Sequence, residues 1–141
     1  MYNKILVALD HTTADQSLLE HIQALAQIHG SQLLLVHVAD GWGARNFQQL
    51  DLQESQEMKD DRAYLDITAE RLRALDIPCT PLLALGNPPA EILKTAADSG
   101  CDLIAMTSHG HRLLADIFLG STIDYVRHRT HIPMLVVRAA A

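Results

Sequence analysis

The chain has 141 residues, of which 48% are hydrophobic, 20% charged and only 4% aromatic. That length and balance fit one folded domain, residues 1–141, with an aliphatic core that needs no disulfide or metal, and they exclude a disordered chain. The formal charge of -6 excludes the broadly basic face that duplex binding or a polybasic membrane contact requires.

Five strand-like runs alternate with helical patterns. Ile5-Leu6-Val7-Ala8-Leu9 is short and continuously apolar, as a strand covered on both faces should be, and it ends at Asp10. Residues 13–29 fit a helix, with Thr13 and Gln16 as a capping box, Leu18, Ile22, Leu25 and Ala26 as its apolar stripe, and Gly30 as its stop. Residues 33–38 form a second buried strand. Residues 39–50 read as a loop, in which Gly41 and Gly43 flank the only tryptophan, Trp42. A long helix over about 52–76 buries Leu65, Thr68, Ala69, Leu72 and Leu75. Its run Glu54, Glu57, Lys59, Asp60, Asp61 and Arg62 reads as a solvated face.

Residues 79–85 are the third strand. Asn87 then suits an N-cap, with Pro88 at the first helical position, Ile92, Leu93, Ala96 and Ala97 on the apolar side and Gly100 at the exit. Residues 103–106 are the fourth strand. A connector over 108–119, a helix from 120 or 121 to 131 and a fifth strand, Ile132–Val137, complete the chain. This alternation predicts an α/β fold, a single open five-stranded parallel sheet, doubly wound, with strand order 3-2-1-4-5. In such sheets ligands bind beyond the carboxyl ends of the strands where the winding reverses. The residues to watch are Asp10-His11-Thr12 and Thr107-Ser108-His109-Gly110.

The first apolar run is too short and wrongly flanked for a signal peptide, and no stretch nears the roughly 18 apolar residues of a membrane span. Cys79 and Cys101 have neither CxxC nor metal spacing. The expectation is a cytoplasmic protein with no nucleic-acid or membrane partner and with both thiols reduced and packed as small hydrophobes.

Common nucleotide and hydrolase signatures are missing. The turn Asp10-His11-Thr12-Thr13 has no glycine, so it is not a GxGxxG fingerprint, and neither a G-x-x-x-x-G-K-[ST] loop nor a G-x-S-x-G elbow occurs. What stands out is Gly110 followed, after nine residues, by Gly120-Ser121 at a helix start. Unpaired N–H groups and the helix dipole make such a start an anion site, to which Ser121 and Thr122 add hydroxyls. Ser121 capping the helix, with Asp124 as its partner, accounts for the same residues. The charge distribution bears on this choice. Residues 108–141 carry Arg112, Arg127, Arg129 and Arg138 against Asp116 and Asp124, with four of the eight histidines, while 15 of the 17 acids lie earlier.

These residues together are specific. Tyr2 through Asp10, Gly86-Asn87-Pro88 with Glu91-Ile92, Cys101 through Gly110, and Leu119-Gly120-Ser121-Thr122 through Arg138 resemble the universal stress protein family over nearly the full length. ATP-binding members of that family carry G-x2-G-x9-G-[ST]. Here Gly110, Gly120 and Ser121 match, and Thr107 stands in place of the first glycine. The resemblance implies a regulatory stress-response module that binds ATP or another adenine nucleotide, with Mg2+ carried on the phosphates. It implies Ala8, Asp10 and Val38 beside the adenosine, Gly110, His111, Gly120, Ser121 and Thr122 around the phosphates, and Thr107 in the same nucleotide site. It also implies a homodimer through Ile132–Val137, an apolar edge strand that would otherwise be uncovered.

His11 and His109 follow the two switch-point strands and are candidates to touch a nucleotide. His37, inside an apolar strand, reads as a satisfied core residue. The pairs His109/His111 and His128/His131 are too far apart along the fold to share a metal, and no metal ligand is assigned. No nucleophile, base and orienting group can be picked out, so no catalytic residue is assigned. Slow ATP hydrolysis and a nucleotide-independent dimeric interaction protein are the competing readings.

Overall fold

A computed structural model of the chain describes residues 1–39, 56–108 and 122–139. The strands are β1 (Lys4–Ala8), β2 (Gln32–Ala39), β3 (Cys79–Leu85), β4 (Leu103–Ser108) and β5 (Met134–Arg138). The helices are α1 (Ala14–His29), α2 (Gln56–Arg73), α3 (Pro88–Asp98) and α4 (122–129). Every strand pair is parallel, and the order across the sheet is β3-β2-β1-β4-β5, as the alternation predicts. The winding reverses between β1 and β4.

Each face of the sheet has its own core. On one, Ile5, Val7, Leu33, Leu35, Leu103 and Ala105 pack under Leu18 and Ile22 of α1 and Leu65, Ala69 and Leu72 of α2. On the other, Leu6, Leu34, Val36, Ile104 and Met106 pack under Ile92 and Ala96 of α3 and Val126 of α4. No aromatic side chain is among the fully buried apolar residues described. Both cysteines are free and buried, as expected of small hydrophobes.

The element ends differ from the sequence reading in instructive ways. The Thr13/Gln16 capping box does not form. Thr13 already has helical angles, φ -63° and ψ -18°, so its hydroxyl cannot fold back over the first turn, and the Gln16 amide runs forward to Glu20 at 3.2 Å. Thr12 caps instead, its hydroxyl accepting the Ala14 N–H at 3.3 Å. Gly30 ends α1 at φ 66°, where its N–H returns to the Ala26 carbonyl. The second long helix stops at Arg73 rather than near 76, so Leu75 lies in the turn beyond it and is exposed, and Ile77 takes the buried place. Asn87 holds the N-cap position of α3 with an extended backbone, but its side chain makes no capping bond. The last strand runs one or two residues later than predicted, Met134 to Arg138, leaving Ile132 and Pro133 ahead of it.

Candidate functional site

β1 lies between β2 and β4, so the carboxyl ends of these three strands stand side by side. The Leu9 N–H carries the pairing one residue further, to the Val36 carbonyl at 2.8 Å. Side chains alternate across the sheet. Ala8 and Val38 therefore fall on the α3/α4 face, where both pack half-buried against its core. Thr107 falls with Leu103 and Ala105 on the α1/α2 face and is buried. Thr122, also buried, opens α4, which returns antiparallel to the strands and so begins at their carboxyl end. The fold thus brings Ala8, Asp10, His11, Val38 and Thr107 to the carboxyl end of the sheet. His109, Gly110, His111, Gly120 and Ser121 lie outside the described residues.

The turn after β1 is built by side chains. The Asp10 carboxylate accepts the Thr12 hydroxyl at 2.7 Å. His11 follows with φ 61°, in the left-handed region that a residue with a side chain rarely enters. Asp15, buried in the first turn of α1, accepts the Asp10 N–H at 3.1 Å and the His11 N–H at 2.9 Å. It also accepts the Tyr64 hydroxyl of α2 at 2.7 Å. Burial, and then the neighbouring Asp10 charge, push the Asp15 carboxyl up to about 6. Burial, and then the bond to Asp15, push the Tyr64 phenol up as well.

A second set of contacts adjoins the first. His11 Nδ1 is 2.7 Å from Asp61 Oδ1, and its ring stacks on Tyr64 with centroids 4.2 Å apart. The other Asp61 oxygen is 3.3 Å from His37 Nε2. The opposite nitrogen of His37, Nδ1, lies 2.8 Å from the Leu9 carbonyl, which requires a proton on that nitrogen. His37 is thus satisfied, as expected, but by polar partners near the carboxyl ends of the strands. Asp61 corrects the sequence reading: it is buried between two histidines, not solvated with its acidic neighbours. Its spacing held the signal. Asp61 lies three residues after Met58 and four before Leu65, on the helix's buried stripe. Asp15 likewise precedes Leu18 by three.

Among the described residues, no group of three or more His, Cys, Asp or Glu is arranged to hold a metal, and no helix is long and apolar enough to cross a membrane. His128, on α4, is exposed, with Nε2 3.3 Å from the Arg127 guanidinium.

Sheet order, the reversal between β1 and β4, and an acid-bearing turn at that reversal define an open, doubly wound α/β protein with its candidate site at the carboxyl ends of the strands. Its sequence assigns it more closely. The chain belongs to the universal stress protein family, whose model matches residues 1–138. It is 28% identical to the universal stress protein MJ0577 of Methanocaldococcus jannaschii, across 98% of this chain and 96% of that one. It is 32% identical to a universal stress protein of Thermus aquaticus, across 98% and 100%. A solved structure of MJ0577 matches with a TM-score of 0.80 at 27% identity, covering 100% of this chain and 99% of that one. The universal stress protein of Archaeoglobus fulgidus, solved in complex with dAMP, shares the fold, with a TM-score of 0.69 at 18% identity over 96% and 98% of the two chains.

Proposed function

We propose that this chain is a single-domain regulatory module of the cytoplasm that binds an adenine nucleotide, ATP in the first instance, where the winding of its sheet reverses. One observation carries the reading. In a chain of this family, the half-buried acid Asp10 lies in the turn after β1, which pairs with β4, and the sequence beyond β4 supplies Gly110 and, nine residues on, Gly120-Ser121. The chemistry of the described residues fits the ligand. Asp10 offers a carboxylate to ribose hydroxyls, and Ala8 and Val38 offer small apolar surface and strand-end backbone to the base. Gly110, His111, Gly120, Ser121 and Thr122 would hold the phosphates, with His11 and His109 at the rim. Mg2+ carried by the phosphates would neutralise their charge without dedicated protein ligands.

Thr107 in place of the first motif glycine does not weigh against this reading. Its strand position turns it toward the α1/α2 core, away from the face shared by Ala8 and Val38.

Calorimetric titration with ATP and AMP tests the proposal. Saturable heat is expected, and Asp10→Ala should weaken binding by about tenfold, the size of one lost charged hydrogen bond. Absence of both heat and thermal shift at millimolar nucleotide would sink it. A nucleotide-independent dimeric module is the second reading, favoured by the exposed Val136 on edge strand β5.

A further inference from the structure

Two segments assigned above to the nucleotide, the turn at Asp10 and the end of β2 at Val38, belong to different strands. One side chain from a third element reaches the neighbours of both. Asp61 of α2 meets His11 through Oδ1 at 2.7 Å and His37 through Oδ2 at 3.3 Å. His11 directly follows Asp10, and His37 directly precedes Val38. His37 also closes the circuit, since its Nδ1 donates to the Leu9 carbonyl, the last backbone group before Asp10, at 2.8 Å. The contacts therefore form a ring around the strand ends.

His11 is the strained member of that ring. At φ 61° it occupies a conformation that glycine adopts freely and that a β-carbon disfavours. The ring contact to Asp61, the stacking on Tyr64 and the N–H bond to Asp15 are what hold it there. This backbone angle sets where the chain goes after His11 and so where Thr12 stands, whose hydroxyl donates to the Asp10 carboxylate at 2.7 Å. Asp61 is buried on α2, which packs on the sheet face opposite to that of Ala8 and Val38.

We infer that Asp61 is a positioning residue for the nucleotide: through His11 it holds the turn after β1 in its left-handed form and so aims Asp10. The inference rests on the nucleotide reading above. The test is ATP calorimetry on four proteins: the wild type, Asp61→Ala, His11→Gly and the double variant. Glycine takes the left-handed turn without help. Asp61→Ala should therefore weaken ATP binding by about tenfold when His11 is present and by less than about twofold in the His11→Gly background. Equal losses in the two backgrounds would assign Asp61 a merely structural part and overturn the inference, as would no loss in either. No binding by the wild type removes the nucleotide reading and the positioning role together, and it is told apart because it appears before any substitution. If Asp61→Ala does not fold by circular dichroism, Asp61→Asn passes through the same cycle under the same criteria.

Discussion

Asp15 is a carboxylate in a place that suits a neutral acceptor. It receives the Asp10 and His11 N–H groups and the Tyr64 hydroxyl, yet burial and the Asp10 charge raise its pKa to about 6. The sign of the pH effect follows. The folded chain holds this proton at pH values where the unfolded chain has released it. The Asp15 contribution to stability is therefore full below about pH 4 and falls away as pH rises through about 6, by about 3 kcal/mol in all. Urea unfolding of the wild type and Asp15→Asn at both ends of that window checks this: the variant should gain on the wild type as pH rises, and a pH-independent difference would remove the assignment. The cysteines behave more simply. Burial pushes the Cys79 thiol up to about 11 and raises Cys101 in the same direction. Under native conditions at neutral pH, Cys79 should then carry about 100-fold less thiolate than an ordinary cysteine. Ellman's reagent should find two readily reacting thiols only after denaturation. Rapid reaction of the native chain would contradict that burial.

The elements divide into those that hydrophobic spacing announces and those that contacts decide. α2 shows both. Leu72 is 1% exposed and Leu75 is 41% exposed, though both match the helical period. Leu72→Ala should cost about 2–5 kcal/mol by denaturant unfolding, and Leu75→Ala no more than about 0.5 kcal/mol. Similar losses would mean that the helix continues past Arg73. Period and composition suffice for all five strands, their order and the helices that cover them, because continuous apolar runs of Leu, Ile and Val leave few alternatives. The polar ring at the strand ends was not legible in the same way. His11 and Asp61 are 50 residues apart, and a charged residue inside a charged run resembles a solvated one until the partner strand is known. Only the phase of Asp61 against Met58 and Leu65 separates it from Asp60 and Arg62. Asp10 and Thr107 are findable because topology brings strand ends to the carboxyl end of the sheet, whatever their chemistry, whereas Ala8 and Val38 needed the family resemblance.

The two edges of the sheet are unequal. β3 has Pro81 at its middle, which removes an outward N–H from the edge, and charged residues are absent from that strand. β5 has no proline inside it, and its Val136 is 44% exposed. If a copy of the chain pairs with this molecule, β5 is the edge that can supply an unbroken row of donors and acceptors. Light scattering should report a dimer at micromolar concentration, converted to monomer by Val136→Glu. Leu82→Glu on β3, at a position 38% exposed in this structure, should leave the dimer intact. A monomeric wild type, or a dimer sensitive to Leu82 and not Val136, would contradict this arrangement.

Pro81 has a further consequence, best put in the language of polymer growth. A building block with two reactive ends extends without limit, whereas one with a single reactive end terminates after one coupling. A parallel sheet as apolar as this one, with both borders open, would be a bifunctional unit and a seed for fibres. A proline at the centre of one border makes it monofunctional, so that strand-to-strand association, once made at β5, has nowhere to continue.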